Sequence, residues 1–336
     1  MPNGQTVLIT GGAGYIGSHA VKYFLAKGYG VVVFDNLFRG WKEPLETLSS
    51  FGPLKFIRGD LRNEKDVAEI FSQNKIDAVL HFAALCLPDE SMERPELYFS
   101  NNVSGSLNLF EGMRQAGVEK VIFSSTCAVY GESQYLPMDE KHPTNPANPY
   151  GESKLMAEKI LRWYGQIHDF KYAILRYFNV CGADRDGLIG DGKKPSQLLL
   201  QNAVRGAMGI EPFLCTCPAV DTPDRTPIRD YIDVEDLVKA HHQAYEYLTH
   251  GGRSDIFNLG NGRGWSVGEI AEEVEKFFQV KLGRKKGEVR KGEYAAVYAD
   301  PSKARKTLEW QSEKSLQNSI ASLQKWYAGH PHGYRR

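Results

Sequence analysis

VLITGGAGYIGSH, residues 7–19, sets a short apolar run, 7–10, directly before an array in which Gly11, Gly14 and Gly17 recur at every third position. Placed behind a strand and at the start of a helix, here expected over 15–27, such an array allows a tight turn. It also lets a pyrophosphate approach the backbone N–H groups at the helix N-terminus and the helix pack closely on the strand. The next apolar run ends in FDNL, which puts Asp35 24 residues beyond Gly11. A carboxylate there can hold the hydroxyls of an adenosine ribose and repel a 2′-phosphate, so NAD is the implied dinucleotide rather than NADP. Taken singly, Asp35 also reads as an aspartate opening a turn. Asp60 and Leu61, in RGDLRN, close a third run where the adenine edge would lie.

Apolar, β-rich runs recur at 7–10, 29–34, 54–57, 78–82, 120–124 and 172–177, with amphipathic stretches between them, among them 64–74 and 97–116. Near-continuous apolar strands separated by helices mark a parallel sheet covered on both faces. The expected fold is a doubly wound, Rossmann-type α/β sheet. After Asn179 the pattern breaks into GADRDGLIGDGKKP, and a second irregular stretch, CTCPAVDTPDRTP, precedes Ile228. Long loops inside a compact chain are more often functional than idle. A helix over 234–248, a strand over 255–259 and an amphipathic helix over 267–278 follow, and the tail ends in Pro-rich and basic residues.

At 336 residues and 42% hydrophobic content the chain can bury a large core. Lys plus Arg and Asp plus Glu both total 41, so no global field draws it to nucleic acid or an anionic membrane; an anionic ligand must meet a local site. The start, MPNGQTVLIT, lacks the basic residues and long apolar core of a signal peptide, and no apolar run approaches the ~18 residues that span a bilayer. The expectation is a cytoplasmic protein. Five cysteines, at 86, 127, 181, 215 and 217, form no disulfide framework, and the Cys215/Cys217 pair lacks partners for zinc, so no metal site is expected.

SSTCAVYG, residues 124–131, follows the fifth strand, and YGESK, residues 150–154, comes some twenty residues later. Tyr150 and Lys154 share one helix face, which brings an ammonium near the phenol. An adjacent positive charge favours the phenolate and lowers a phenol pKa from about 10 toward the working range. A hydroxyl from Ser125 or Thr126 could then hydrogen-bond the substrate oxygen that loses or gains the proton. In isolation a YxxxK is more commonly an exposed helix pair. The order of glycine turn, hydroxyl cluster and Tyr–Lys pair puts all three at the carboxyl ends of the strands, which indicates hydride chemistry on an alcohol carbon.

GGAGYIGSH, FDNL, GDLRN, HFAA, NNVSGSLNL, SSTCAVYG, PYGESK, LRYFNVCG, IRDYID, FNLGNG and HPHGY together resemble the UDP-galactose 4-epimerases of the extended short-chain dehydrogenase/reductase family, over nearly the whole chain. The resemblance implies interconversion of UDP-galactose and UDP-glucose by oxidation at C4, rotation of the 4-keto sugar and re-reduction. It implies NAD binding by Gly11, Gly14, Tyr15, Ile16, Gly17, Asp35, Asn36, Asp60, Leu61, Phe82, Ala83, Asn101, Lys154 and Tyr177. Tyr150 would be the base, Lys154 its helper and Thr126, with Ser125 beside it, the hydroxyl. Asn179, Arg229, Arg290 and Glu293 would hold the UDP portion, and Val297 would line the pocket near the sugar C2 substituent. A small residue there admits N-acetylated sugars; the bland reading is a buried strand valine. The implied organisation is 1–178 with 231–260 for NAD, and 179–230 with 261–336 as a smaller mixed α/β lobe for the UDP-sugar.

Some positions depart from the family pattern. Cys86 stands where some relatives carry a Lys that reaches the cofactor ribose, the 188–200 segment fits the substrate loop poorly, and 215–227 is long, with Arg225 where a glycine is expected. A 4-epimerase of another UDP-sugar, a hexuronic acid or pentose, is the nearest alternative. A 4,6-dehydratase would need an acid–base carboxylate pair where Cys127 and Ala128 follow Thr126, and a non-catalytic NAD-binding sensor would be marked by loss of Tyr150 or Lys154. In the resembled family the helices equivalent to 97–116 and 150–167 pair across a two-fold axis. Leu109, Phe110, Leu161 and Trp163 exceed one sheet-facing stripe, so a homodimer is expected, with ordinary core as the other reading.

Overall fold

The computed structural model describes residues 4–193, 196–215, 217–283, 285–286 and 294–334. Its strands are β1 (Thr6–Thr10), β2 (Gly30–Asp35), β3 (Leu54–Arg58), β4 (Ala78–His81), β5 (Lys120–Thr126), β6 (Lys171–Tyr177), β7 (Asn179–Cys181), β8 (Leu214–Cys215), β9 (Ile228–Asp233), β10 (Asp255–Leu259), β11 (Gly264–Ser266), β12 (Lys285–Lys286) and β13 (Ala296–Val297). Its α-helices are α1 (Tyr15–Ala26), α2 (Glu43–Leu48), α3 (Glu64–Gln73), α4 (Pro88–Glu93), α5 (Pro95–Tyr98), α6 (Gly105–Gln115), α7 (Pro149–Ile167), α8 (Leu199–Ala207), α9 (Val234–Thr249), α10 (Val267–Phe278), α11 (Ser302–Leu308) and α12 (Leu316–Gly329).

The apolar runs form a seven-stranded sheet in the order β10-β6-β5-β4-β1-β2-β3. The pairings β1·β2, β2·β3, β1·β4 and β4·β5 are parallel. From β1 the chain winds outward through β2 and β3, then returns to the other side of β1 with β4. This reversal is the doubly wound topology read from the sequence, and it opens a crevice beyond the carboxyl ends of β1 and β4. Val7, Leu8, Ile9, Val33, Val79, Leu80, Ile122 and Phe123 are fully buried, as strands covered on both faces require. Helix starts follow local chemistry. Asn148 caps α7 by accepting from Gly151 N, with Pro149 at the first helical position, and Ser266 with Glu269 closes a capping box on α10.

Packing divides the chain into two units, Met1–Gly131 with Pro143–Arg176 and Val238–Phe257, and Glu132–His142 with Tyr177–Leu237 and Asn258–Arg336. The division departs from the expected one at 132–142, 177–178, 231–237 and 258–260. Met138 N donates to Tyr298 O at 2.9 Å and Asp300 N to Met138 O at 2.7 Å, which draws the first segment into the second unit. Residues 231–233 continue β9, the central strand of that unit's own sheet, which pairs with β7 and β13 in parallel and with β11 antiparallel.

Two further features differ from expectation. The stretch 97–116 is not one α-helix: residues Phe99–Ser104 form a π-helical segment between α5 and α6. There Asn102 is buried, and its amide brackets Leu85 by accepting from its N–H at 2.9 Å and donating to its carbonyl at 3.0 Å. The tail holds α11 and α12, which its weak, Ser- and Asn-containing pattern did not announce. Leu109, Phe110 and Leu161 are fully buried core, which removes them from any contact face, whereas Trp163 is 62% exposed. Arg225 sits at φ 62°, the left-handed conformation a glycine adopts without strain. Among the described residues no helix is long and apolar enough to cross a membrane.

Candidate active site

In the first unit the glycine turn is closed on itself. Gly11, at φ 72°, donates to Phe34 O at 2.9 Å, and Gly14 N donates to Gly11 O at 3.0 Å. A Cβ on Gly17 would lie 2.1 Å from Gly11 O, and one on Gly11 would lie 2.6 Å from Ala83 N, so only glycine fits either position. Gly14 caps α1 with no side-chain hydrogen bond, and the helix's first turn, with Tyr15, Ile16 and Gly17, contains no acidic residue. The positive end of the α1 dipole is therefore left for an external anion. These features fit the pyrophosphate of a dinucleotide.

Asp35 ends β2 in a buried position, its Oδ2 accepting from Ala13 N at 3.1 Å and its Oδ1 from Leu37 N at 2.8 Å. Burial pushes its carboxyl pKa up, and those two backbone bonds pull it back. Asp35 thus ties the turn together, and each oxygen keeps a lone pair for a ribose hydroxyl. The Arg62 guanidinium beside Asp60 holds that carboxyl well below the usual carboxylate range, and Asn36 Nδ2 donates to the same group at 2.9 Å. Leu61 is buried. Phe82 N donates to Thr10 O, and the Phe82 ring lies 4.6 Å from that of His241. Asn101, in the π-helical segment, donates to Asn102 Oδ1 at 3.0 Å. Arg39 forms an ion pair with Glu90.

Tyr150 and Lys154 stand one turn apart near the start of α7, the Tyr150 ring 6.4 Å from and edge-on to that of Tyr98. Lys154 is carried into the interior, where its Nζ donates to the Ser124 carbonyl at 2.8 Å and lies 4.8 Å from the Phe123 ring centre. Burial pushes its ammonium pKa down to about 8, while the thiol of Cys86 and the carboxylate of Glu158 pull it up. Thr126, the last residue of β5, accepts from Ala128 N at 3.1 Å, which leaves its hydroxyl proton to donate. Ser125 differs from expectation. Its side chain is buried, and its hydroxyl donates to Glu158 Oε1, so it does not face a substrate. Sequence reasoning also missed Glu158, Arg176 and the chain Thr10–His81–Ser106. In that chain His81 Nδ1 lies 2.7 Å from Thr10 Oγ1 and its Nε2 lies 2.9 Å from Ser106 Oγ. The signal for Glu158 was its place four residues beyond Lys154 on the same helix face.

In the second unit Asn179 starts β7 and Arg229 lies on β9, where its guanidinium donates to the carbonyls of Ile228 at 2.8 Å and Tyr294 at 2.9 Å. Val297 pairs with Arg229 across the β13·β9 register and is 6% exposed. Tyr177 closes β6, half-buried. Arg290 and Glu293 lie outside the described residues. Among the described residues no group of three His, Cys, Asp or Glu side chains could hold a metal ion.

A parallel sheet with a glycine turn and a buried lysine under the same carboxyl edge is the framework of the dinucleotide-binding α/β enzymes. Residues 7–260 match the family described as NAD dependent epimerase/dehydratase, and the chain belongs to that family as an NAD-dependent epimerase. It is 41% identical over 330 residues to the UDP-glucose 4-epimerase of Lactobacillus helveticus, covering 98% of each chain. It is 42% identical over 340 residues to a putative UDP-arabinose 4-epimerase of Arabidopsis thaliana, covering 98% of this chain and 77% of that protein. The crystal structure of UDP-glucose 4-epimerase from Bifidobacterium longum in complex with NAD+ and UDP superposes with a TM-score of 0.92 at 37% identity, over 98% of this chain and 100% of that one.

Asp35→Ala should weaken NAD binding at least ~tenfold, the loss expected when a charged acceptor is removed from a buried hydrogen bond. Discrimination against NADP should relax appreciably only in Asp35→Ala/Glu90→Gln, because Glu90 occupies Arg39, the nearby cation available to a 2′-phosphate. Titration of both dinucleotides checks this; unchanged NAD affinity in Asp35→Ala would reduce Asp35 to a turn residue.

Proposed function

We propose that the chain interconverts UDP-glucose and UDP-galactose at C4 of the sugar. The observation that carries this reading is the Tyr150–Lys154 pair, whose ammonium is fixed on the Ser124 carbonyl at 2.8 Å beside the hydroxyl-bearing tip of β5. Tyr150 as phenolate takes the proton of the 4-hydroxyl, and Thr126 donates a hydrogen bond to the same oxygen. Lys154 stabilises the negative charge on the phenol oxygen and is assigned to the nicotinamide ribose. NAD, bound by the residues of the glycine turn with Asp35, Asn36, Asp60, Leu61, Phe82, Ala83, Asn101 and Tyr177, supplies an acceptor and later donor of hydride. Between the two transfers the chain must keep the UDP portion while the 4-keto sugar turns, and Asn179, Arg229 and Arg290 are the groups we assign to it, with Glu293 on the uridine ribose. Tyr150→Phe should lower turnover ~10²–10⁴-fold with NAD still retained by the purified protein, because only the general base is removed. Near-normal turnover of UDP-galactose by that variant would overturn the assignment.

The sugar carried on UDP varies among the relatives: the Arabidopsis relative named for UDP-arabinose is as similar as those named for UDP-glucose. The sugar pocket, not the clamp, decides among them, and Val297 is the residue we place near C2. Its side chain is small and apolar, so neither a hydroxyl nor an N-acetyl group leaves a polar partner unmet. Wild-type protein should act on UDP-N-acetylgalactosamine as well as UDP-galactose. Val297→Tyr, added at a 6% exposed position, should abolish the first activity and spare the second. Wild type that ignores the N-acetyl sugar refutes the assignment.

We further propose a cytoplasmic homodimer. Met156, Trp163 and Ile167 are exposed on one side of α7, with Leu107 exposed on α6, against which α7 packs through Phe110 and Tyr164. An aromatic and aliphatic stripe of this kind on a soluble surface marks an association face. Trp163→Glu/Ile167→Glu should convert a dimeric mass in light scattering to a monomeric one at micromolar concentration; a wild-type monomer there counts against the proposal.

A further inference from the structure

Ser125, Glu158 and Arg176 form a buried polar cluster that the reaction does not use directly. Arg176, near the end of β6, is 4% exposed and Glu158 1% exposed. The guanidinium engages the carboxylate in two places, Nη2 to Oε2 at 2.5 Å and Nε to Oε1 at 3.0 Å, and lies 4.8 Å from the Tyr130 ring centre. The Ser125 hydroxyl adds a third donor to the carboxylate, at Oε1. A buried pair of this kind is weak evidence for stability, because apolar side chains of similar volume often serve as well. Its position is informative. Glu158 is one helical turn beyond Lys154, which is itself one turn beyond Tyr150, and all three lie on the inward face of α7. From that face α7 grips two successive residues of β5, the Ser124 carbonyl through Lys154 and the Ser125 hydroxyl through Glu158. The next residue is Thr126.

We propose that Glu158 is a positioning residue, whose carboxylate fixes the tip of β5 against α7 through Ser125 and offsets the buried charge of Lys154. The proposal rests on the epimerase reading and extends it: Arg176 orients the carboxylate, Ser125 transmits the position, and Thr126 is thereby held at a fixed reach from Tyr150. The groups facing Lys154 are few. Glu158 and Tyr150 share its helix, Cys86 approaches from the segment after β4, and β5 contributes the Ser124 carbonyl and the Phe123 ring. His81, at the end of β4, is held neutral by burial and by the Lys154 charge. Glu158 and Cys86 are the groups that draw the lysine toward its protonated form.

Loss of the carboxylate charge makes Lys154 release its proton at lower pH, so activity on the alkaline side should fall earlier. In holoenzyme assayed on UDP-galactose from pH 6 to 10, Glu158→Gln should move the alkaline limb of kcat down by about one unit, leaving ~tenfold less activity where wild type begins to decline. Ser125→Ala keeps the charge: kcat should fall several-fold at all pH values, with KM and the limb unchanged. If Glu158→Gln fails to fold, Glu158→Leu/Arg176→Met replaces the whole pair with apolar volume and should shift the limb in the same direction. The ionisation is also read without turnover, by titrating 13C-labelled lysine with Lys154→Met identifying the signal. A limb and a Lys154 titration that coincide with wild type in the folded Glu158 variants overturn the proposal. Wild type inactive on every UDP-sugar, with the Lys154 titration still shifted by Glu158→Gln, overturns the functional reading and leaves the positioning role standing.

Discussion

A cation held inside the protein on a backbone carbonyl is the constraint around which the first unit is organised. Burying an ammonium costs several kcal/mol unless partners replace its water. The Ser124 carbonyl, the face of Phe123 and the Glu158 carboxylate together take that place. Because two of these three belong to β5, the lysine can stay buried only if α7 lies at one distance and one rotation from that strand. The geometry proposed for the chemistry is thus also the geometry that keeps the charge satisfied. The same dependence reaches β4. Asn102 brackets Leu85 and donates to Ser153 Oγ at 3.0 Å, while Ser153 donates to the Tyr150 carbonyl at 2.8 Å. The segment after β4, the π-helical turn and the start of α7 are therefore joined through side chains before any ligand is considered.

Much of the first unit was legible because its determinants are local and periodic. Strands buried on both faces must be apolar without alternation, so the runs at 7–10, 78–82 and 120–124 declared themselves, as did the spacing of three glycines where any Cβ meets backbone. The direction of a single hydroxyl was not legible. In SST every residue offers one, and only the location of a carboxylate 33 positions later decides that Ser125 turns inward. The π-helical turn at 99–104 was hidden for a similar reason. Its sequence is compatible with an ordinary helix, and a long-range partner, Leu85, accompanies the widened turn. The expected contact stripe was misread at Leu109, Phe110 and Leu161 because composition counts apolar positions without saying which neighbour covers them.

The second unit was less legible because its elements are short and are stabilised by contacts distant in sequence. β7, β11 and β13 span two or three residues each and gather on β9. At its centre Asp230 accepts from Asn261, Gly262 and Ala299 N–H groups at 2.7, 3.1 and 3.2 Å. Burial pushes that carboxyl pKa up to about 6 despite the three donors. One side chain thus ties the loop between β10 and β11 to the segment after β13, an arrangement that no windowed pattern can display. Arg225 adds a local cost to the same unit, since a side chain at positive φ is held there by Thr222 and Val220 rather than by preference.

α7 is read on two faces at once, which limits what its sequence can be. Positions 150, 154, 158 and 161 fall on the inward side and carry the phenol, the ammonium, the carboxylate and a core leucine, while 156, 163 and 167 fall on the opposite side. Three polar groups in an inward stripe would leave an isolated helix poorly amphipathic and badly anchored. The helix is instead held by specific bonds from Lys154 and Glu158 and by Phe110, Tyr164 and Phe170 packing at its far end. A partner surface covering Trp163 would therefore stiffen the end opposite the chemistry. The helix being rigid along its axis, any displacement at that face would be carried to Tyr150 and Lys154. The proposed association face and the proposed catalytic pair thus lie on the same helix, whose position is already fixed by the buried lysine.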